Sequence, residues 1–190
     1  MSLLNEYFEL LVDVVSEFDG TLDKFLGDGL MAIWGAPVED AAAAEKALRC
    51  AIEMQQTVSR LNSLRRLDGK LPIWTGIGID KGQAVVGYTG SSRTMTYTAI
   101  GPSVNIASRL CAAARPGEIL VSDVLWQAAP SIPLELAEVA QGTRRAPLAL
   151  KGISHPVENW SIAVGDILAI PTAEREAELI DRGVIFDLAD

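Results

Sequence analysis

Two pairs of polar residues in the sequence have the types and spacing needed for phosphate chemistry. Lys24 and Asp28 lie four positions apart, and Asp28 stands between two glycines at the tip of a predicted hairpin. A carboxylate there can reach a hard cation such as Mg²⁺ without crowding from its neighbours. Asn105 and Arg109 are four positions apart in a predicted helix, so they share one face. An arginine guanidinium on that face suits phosphate oxygens.

Each of these residues also has an ordinary structural explanation. Gly-Asp-Gly is a favoured turn sequence, and Lys24 fits a solvated strand. A surface Asn and Arg fit any amphipathic helix, although asparagine is a poor helix former, so Asn105 in mid-helix favours a functional role. Lys151, which precedes Gly152, fits a phosphate contact and a plain turn equally well.

The elements that must position these residues follow from the spacing of apolar residues. A first helix is predicted from Leu4 to Phe18, followed by a β-hairpin over 21–34. Asp40 is expected to cap a long second helix, and Gly101-Pro102 to open a third. A further helix is predicted at 122–129, with strands near 73–80, 84–88, 93–100, 118–121, 134–139, 148–151 and 157–164.

Helices that alternate with hairpins are typical of one fold class. They predict an α+β, ferredoxin-like (βαββαβ-type) antiparallel sheet with helices packed on one face, extended by extra C-terminal strands. Residues 166–190 are expected to form a tail, with a candidate strand at 184–188.

Composition limits the class of function. The 190 residues carry a net charge of −9, so the surface repels nucleic-acid backbones and no nucleic-acid partner is expected. No apolar run in the sequence has the length of a membrane span. Cys50 and Cys111 lack metal-ligand spacing and indicate a reduced, cytoplasmic protein. A membrane anchor upstream in the full-length protein is left open.

Several motifs occur together in a characteristic order. Residues 24–29 read Lys-Phe-Leu-Gly-Asp-Gly, and residues 97–110 read Tyr-Thr-Ala-Ile-Gly-Pro-Ser-Val-Asn-Ile-Ala-Ser-Arg-Leu. Gly76-Ile77-Gly78-Ile79 lies between them, and Arg115-Pro116-Gly117 and Lys151-Gly152-Ile153 follow. In this order and at these separations the motifs resemble the catalytic domain of class III adenylyl and guanylyl cyclases, bacterial adenylyl cyclases in particular. The resemblance covers residues 1–165.

The resemblance implies conversion of ATP to 3′,5′-cyclic AMP and pyrophosphate in intracellular signal transduction. A Lys and Thr pair favours ATP over GTP, because a guanine-reading site is expected to carry Glu and a small polar residue. Two Mg²⁺ or Mn²⁺ ions are implied as cofactors. The roles implied are adenine recognition for Lys24 and Thr98, ribose orientation for Asn105, charge stabilisation for Arg109, triphosphate binding for Lys151 and metal binding for Asp28.

The resemblance also implies a homodimer with its sites at the subunit interface. Asp28 would serve one site, while Lys24, Thr98, Asn105 and Arg109 of the same chain would serve the other.

The sequence departs from the family at its start. The family's first strand carries another metal-binding Asp, and this sequence begins after that point. We therefore expect these 190 residues alone to be a poor or inactive catalyst, and the 184–188 run is a candidate to fill the position of the strand. The alternative function is a degenerate cyclase-homology domain that binds nucleotide or a partner without catalysis. A diguanylate cyclase would need a Gly-Gly-Asp/Glu-Glu-Phe hairpin, which Gly27-Asp28-Gly29 does not provide.

Overall fold

The computed structural model describes residues 2–91, 93–129 and 140–164. The helices in these ranges are α1 (Ser2–Glu17), α2 (Ala43–Leu67), α3 (Pro102–Ala113) and α4 (Asp123–Gln127). The strands are β1 (Thr21–Leu26), β2 (Gly29–Ile33), β3 (Ile77–Ile79), β4 (Val85–Ser91), β5 (Thr94–Ile100), β6 (Glu118–Ser122), β7 (Ala140–Leu148) and β8 (Val157–Val164). Helices alternate with hairpins as predicted, but the second hairpin is β4-β5, and the strand expected over 73–80 pairs with β6 rather than with the strand that follows it across Lys81-Gly82.

The strands form three sheets. Four of them pair in the spatial order β3-β6-β8-β7, with β3 and β6 parallel and the other pairs antiparallel. The remaining strands form two antiparallel hairpins, β1-β2 and β4-β5. The predicted α+β fold class is therefore confirmed.

Helix α2 lies at the centre of the core because two of its faces are apolar. On one face, Leu48 and Ile52 pack with Ile119 and Ile162 of the four-stranded sheet. On the other face, a second cluster joins α2 to α1; its buried members are Tyr7, Leu11, Val14, Val15, Cys50, Met54 and Val58. Burial of so many apolar side chains against α2 makes this helix and the four-stranded sheet the rigid part of the molecule.

The strand predicted over 73–80 is shorter than expected, for a reason that lies in α2. The Asn62 side chain donates to the Ile73 carbonyl and accepts from the Ile73 amide, both at 2.7 Å. Gln55 donates to the Thr75 carbonyl at 2.9 Å. Because these buried side chains satisfy the backbone of the segment before β3, it needs no neighbouring strand there.

Two other expectations at element boundaries were wrong. Of the strand expected at 148–151 only Leu148 is in a strand, as the last residue of β7, and the chain then turns at Gly152, whose φ is 81°. Asp40 does not cap the second helix directly, since α2 begins at Ala43. Its carboxylate instead accepts from the Ala42 amide at 2.8 Å, in the turn that precedes the helix.

The strand expected at 134–139, the tail at 166–190 and the candidate strand at 184–188 lie outside the described residues. Among the residues that are described, no helix combines the length and apolar character needed to cross a membrane.

Gly78 in β3 fixes the distance between the sheet and α3, the helix that carries Asn105 and Arg109. A Cβ atom at Gly78 would lie 2.0 Å from the Cys111 amide nitrogen and 2.4 Å from the Ala107 carbonyl oxygen. Both neighbours are backbone atoms of α3, so no side-chain rotation could relieve the overlap. A methyl group at this position would have to push α3 away from β3.

We predict that Gly78→Ala lowers the free energy of unfolding by about 3 kcal/mol or more, at the upper end of overpacking effects. Gly87→Ala is the matched control, because a Cβ at Gly87 meets no atom within 4 Å, and its effect should stay within about 0.5 kcal/mol. Denaturant titration of both variants measures the difference. Equal stability of the two variants would contradict the packing described here.

Candidate active site

The β1-β2 hairpin presents two of the predicted site residues. Lys24 lies in β1, and Asp28 lies in the two-residue turn at the tip, beside Gly27, whose φ is 65°. Leu26 pairs with Gly29 across the turn. The glycine conformation allows the tight turn that leaves the Asp28 carboxylate exposed.

The pairing of β1 with β2 is irregular at Asp23. Leu22 pairs with Ala32 and Lys24 pairs with Met31, so Asp23 is an extra residue in β1. This is a β-bulge, which turns a side chain out of the regular alternation of a strand. As a result, the neighbouring residues Asp23 and Lys24 both reach the same atom, the hydroxyl oxygen of Thr98 on β5.

The contact between Lys24 and Thr98 is direct. Lys24 Nζ donates to Thr98 Oγ1 at 2.7 Å, and it also lies 3.0 Å from an oxygen of Asp23. Thr98 is buried, whereas 36% of the Lys24 side chain is exposed. The structure thus brings together the two residues that the resemblance assigns to the base.

Asp23 is the functional candidate that the sequence analysis missed. Its side chain has no solvent exposure, and its carboxylate accepts from the Thr98 hydroxyl and from the Ala99 amide, both at 2.8 Å. Burial raises the pKa of Asp23, but the hydrogen bonds from Ala99, Lys24 and Thr98 outweigh it and hold the pKa below its ordinary value. The only sequence signal was an acidic residue directly before a lysine, in a strand whose side chains were otherwise expected to alternate between its two faces.

Helix α3 carries the second predicted pair. Gly101 is its N-cap and Pro102 its first residue, as expected, and the Asn105 amide donates to the Gly101 carbonyl in the first turn. Asn105 and Arg109 are both exposed on this helix, whose other side buries Leu110. Their side chains are therefore accessible to a ligand on the outer face of α3.

Asp28 and Lys151 do not join the contact between Lys24 and Thr98. Desolvation of the Cys111 thiol by the atoms around it raises its pKa, although the residue as a whole is exposed on α3, and the Asp28 charge adds to that increase. The same carboxylate adds to the raised pKa of Tyr7 on α1, after burial. Asp28 therefore acts electrostatically on the side of the hairpin that faces α1 and α3. Lys151 lies exposed in the turn that follows β7.

Comparison with known proteins decides the family. Residues 1–162 match the family described as the adenylate and guanylate cyclase catalytic domain. The chain belongs to this family. Among relatives of this cyclase domain, Adenylate cyclase 1 of Rhizobium meliloti (strain 1021) is 44% identical over 110 residues, or 58% of this chain and 16% of that protein. The chain thus spans only a small part of the length of this curated relative.

Solved structures of cyclases have the same fold as this domain. The adenylyl cyclase CyaB from P. aeruginosa has a TM-score of 0.75 and 30% identity, over 87% of this chain and 83% of that one. The guanylyl cyclase Cya2 has a TM-score of 0.73 and 32% identity, over 90% and 84%. The recognition made from the motifs is confirmed. One of these neighbours is an adenylyl cyclase and the other a guanylyl cyclase. The choice between ATP and GTP must therefore be argued from this domain's own residues.

Of the ligands expected for the metal site of the cyclase domain, the described residues supply one carboxylate, that of Asp28. Asp28 is exposed, and its carboxylate oxygens are of the type that Mg²⁺ and Mn²⁺ prefer. Within the described residues, no group of three His, Cys, Asp or Glu side chains could hold a metal ion. Asp28 fits one ligand position, and the described residues do not complete a site for two ions.

The buried Asp23 carboxylate should make the stability of the cyclase domain depend on pH. Since its pKa is lower in the folded state, its contribution is fully present above the unfolded pKa of about 3.9 and is lost as pH falls through the folded value. We predict that Asp23→Asn costs about 1–3 kcal/mol of unfolding free energy at pH 7, the range for hydrogen bonds to a charged group. The cost should shrink below about pH 4.

Denaturant titrations between pH 3 and pH 8 measure this difference. Asp13→Asn, at an exposed position of α1, is the control and should leave stability nearly unchanged at each pH. A stability cost for Asp23→Asn that stays constant down to pH 3 would show that the carboxylate charge is not what matters.

Proposed function

We propose that this domain converts ATP to 3′,5′-cyclic AMP and pyrophosphate as part of an intracellular signalling protein. The observation that carries the proposal is the hydrogen bond between Lys24 and the buried Thr98. Lysine is only a donor and a threonine oxygen can accept, so together they match the ring nitrogen and the amino group of adenine. The second candidate, a cyclase-homology domain without catalysis, does not account for the exposed Asn105 and Arg109 of α3.

The reaction needs the ribose 3′ oxygen to attack the α-phosphorus in line with the leaving pyrophosphate. One P–O bond forms, the bond to the β-phosphate oxygen breaks, and the proton of the 3′ hydroxyl is released. The side chains of this chain contribute by position and charge. Lys24 and Thr98 hold the base, Asn105 orients the ribose and Arg109 stabilises the negative charge that develops on the phosphates.

Mg²⁺ or Mn²⁺ is the expected cofactor, and Asp28 is the residue of this chain proposed to bind it. When bound, such an ion neutralises phosphate charge and lowers the pKa of the attacking hydroxyl. Because Asp28 is the single ligand proposed from the described residues, no catalytic step is assigned through the metal here.

A homodimer is proposed because large apolar side chains are exposed on the hairpins beside the site. Val85 is 78% exposed and Tyr88 is 72% exposed, both on β4. Phe25 and Leu26 on β1 and Met95 and Ile100 on β5 are exposed as well. Exposed apolar side chains on two neighbouring hairpins are typical of a protein interface, and a second copy of the chain would complete each site across it.

We predict that a longer form of the protein makes cyclic AMP from ATP with Mn²⁺ or Mg²⁺, while the 190 residues alone give near-background product because the described residues supply Asp28 as a single metal ligand. In the longer form, Arg109→Ala should lower kcat about 10²–10³-fold, because it removes a preorganised charge from the transition state. Arg66→Ala, at the end of α2, is the control and should change kcat little. Product analysis of cyclic AMP and cyclic GMP measures each.

If the longer form binds ATP but makes neither cyclic nucleotide, the domain is the non-catalytic homologue. Robust turnover by the 190 residues alone would contradict the expectation that a further metal ligand is needed.

If each active site is shared between two chains of a dimer, two inactive variants should complement each other. Asp28→Ala and Arg109→Ala should each be inactive, yet a mixture should regain about a quarter of wild-type activity, because half of randomly formed dimers are mixed and each holds one intact site of two. Lys24→Ala mixed with Arg109→Ala is the matched control and should regain none, since both residues serve the same site. Recovery in the control, or none in the first mixture, would contradict this division of residues.

A further inference from the structure

The β-bulge at Asp23 places two charged side chains beside one hydroxyl oxygen. A regular strand would direct Asp23 and Lys24 to opposite faces, but the extra residue in β1 allows both to reach Thr98 Oγ1. The two contacts are 2.8 Å to the carboxylate and 2.7 Å to the ammonium. The hydroxyl is buried, so its hydrogen bonding is decided by these neighbours rather than by water.

The single proton of the Thr98 hydroxyl is directed to Asp23. Threonine offers one O–H donor and two lone pairs, and an ionised carboxylate can only accept. Lys24 can only donate, so it must use a lone pair of Thr98 Oγ1. With its proton engaged by Asp23, Thr98 can act toward any third group only as an acceptor.

We propose that Asp23 is a specificity-determining positioning residue, which selects a purine with a 6-amino group over one with a 6-oxo group by fixing Thr98 as an acceptor. The inference rests on the proposed function and deepens it. Adenine presents an N6 amino donor, whereas guanine presents an O6 acceptor at the same place. In the same pose guanine would also turn its N1–H toward Lys24, which has no acceptor, so both contacts would be mismatched.

The charge balance of the cluster supports the same assignment. Asp23 lies 3.0 Å from Lys24 Nζ, so the ammonium beside the base is partly neutralised. Lys24 keeps a third hydrogen for a ring nitrogen after it donates to Asp23 and Thr98. A purely structural role, in which Asp23 only joins β1 to β5 through the Ala99 amide, is the competing explanation and makes no statement about the base.

Asp23→Asn separates the two explanations. The amide can donate to Thr98 Oγ1, which frees the hydroxyl proton to donate to a guanine O6. We expect the ratio of kcat/KM for ATP to that for GTP to fall about tenfold or more in the full-length protein, the effect of one mismatched hydrogen bond. Asp13→Asn is the matched control and should keep the wild-type ratio.

Competition binding gives a readout that does not need turnover. ATP and GTP would each be titrated against a fluorescent adenine nucleotide, and the ratio of their Kd values should move in the same direction and by a similar factor. Should Asp23→Asn fail to fold, Asp23→Ser takes its place, because it is smaller and also removes the obligatory acceptor. Combining Asp23→Asn with Thr98→Val should add nothing to the change in ratio seen with Thr98→Val alone, because Asp23 acts through the hydroxyl.

The outcomes distinguish this inference from the proposed function. An ATP-to-GTP ratio within about twofold of wild type in a folded Asp23 variant would overturn the inference, even if stability falls. If the wild type makes no cyclic nucleotide but its preference for ATP in binding depends on Asp23, the catalytic proposal fails and the inference stands. If cyclic AMP is made with a base preference that does not depend on Asp23, the inference fails and the catalytic proposal stands.

Discussion

One buried carboxylate joins the two hairpins of this domain. A two-stranded hairpin is marginal in water, and the β1-β2 and β4-β5 hairpins are each a separate two-stranded sheet. Asp23 connects them through hydrogen bonds to Thr98 and Ala99. Because an ionised group is costly to bury without partners, its three donors must stay in place, and this requirement fixes the hairpins relative to each other.

The rigid part of the domain and the site have different physical origins. The four-stranded sheet and α2 are held by apolar burial, with side chains such as Leu48 and Ile119 removed from solvent. The site lies on elements at the edge of this core: the two hairpins, and α3, which buries Leu110 against Leu120 of β6 and approaches the backbone of β3 at Gly78. The backbone contact at Gly78 positions the exposed Asn105 and Arg109, while a polar contact positions Lys24 and Thr98. Different substitutions should therefore damage the two halves of the site.

Local patterns predicted much of the fold and part of the site. Apolar spacing located α1, α2 and the hairpins, and Gly101-Pro102 located the start of α3, because these signals depend only on neighbouring residues. The motifs indicated that Lys24 and Thr98 belong together, and they form a hydrogen bond. The roles of Asn105, Arg109, Lys151 and Asp28 stay predictions, as do the residues beyond 164.

The features that sequence reasoning missed depend on contacts between distant residues. Asn62 and Gln55 shortened the expected strand before β3 by bonding to its backbone, and no pattern within that segment could show it. Asp23 was missed because a bulge, which breaks the period of two, cannot be seen in a six-residue strand. Asn62, Gln55 and Asp23 all have buried polar side chains whose partners lie far along the chain.

The proposed function requires an acidic domain to bind a polyphosphate, and the distribution of charge is compatible with this. With a net charge of −9 the overall field repels ATP, so attraction must be local. Lys24 is partly neutralised by Asp23 at 3.0 Å, which suits a group that contacts an uncharged base. Arg109 has no ion pair within the described residues and stands exposed on α3, so its charge is available to phosphate oxygens. The roles proposed for the two cations, base recognition by Lys24 and phosphate binding by Arg109, agree with this difference, because a carboxylate accompanies only Lys24.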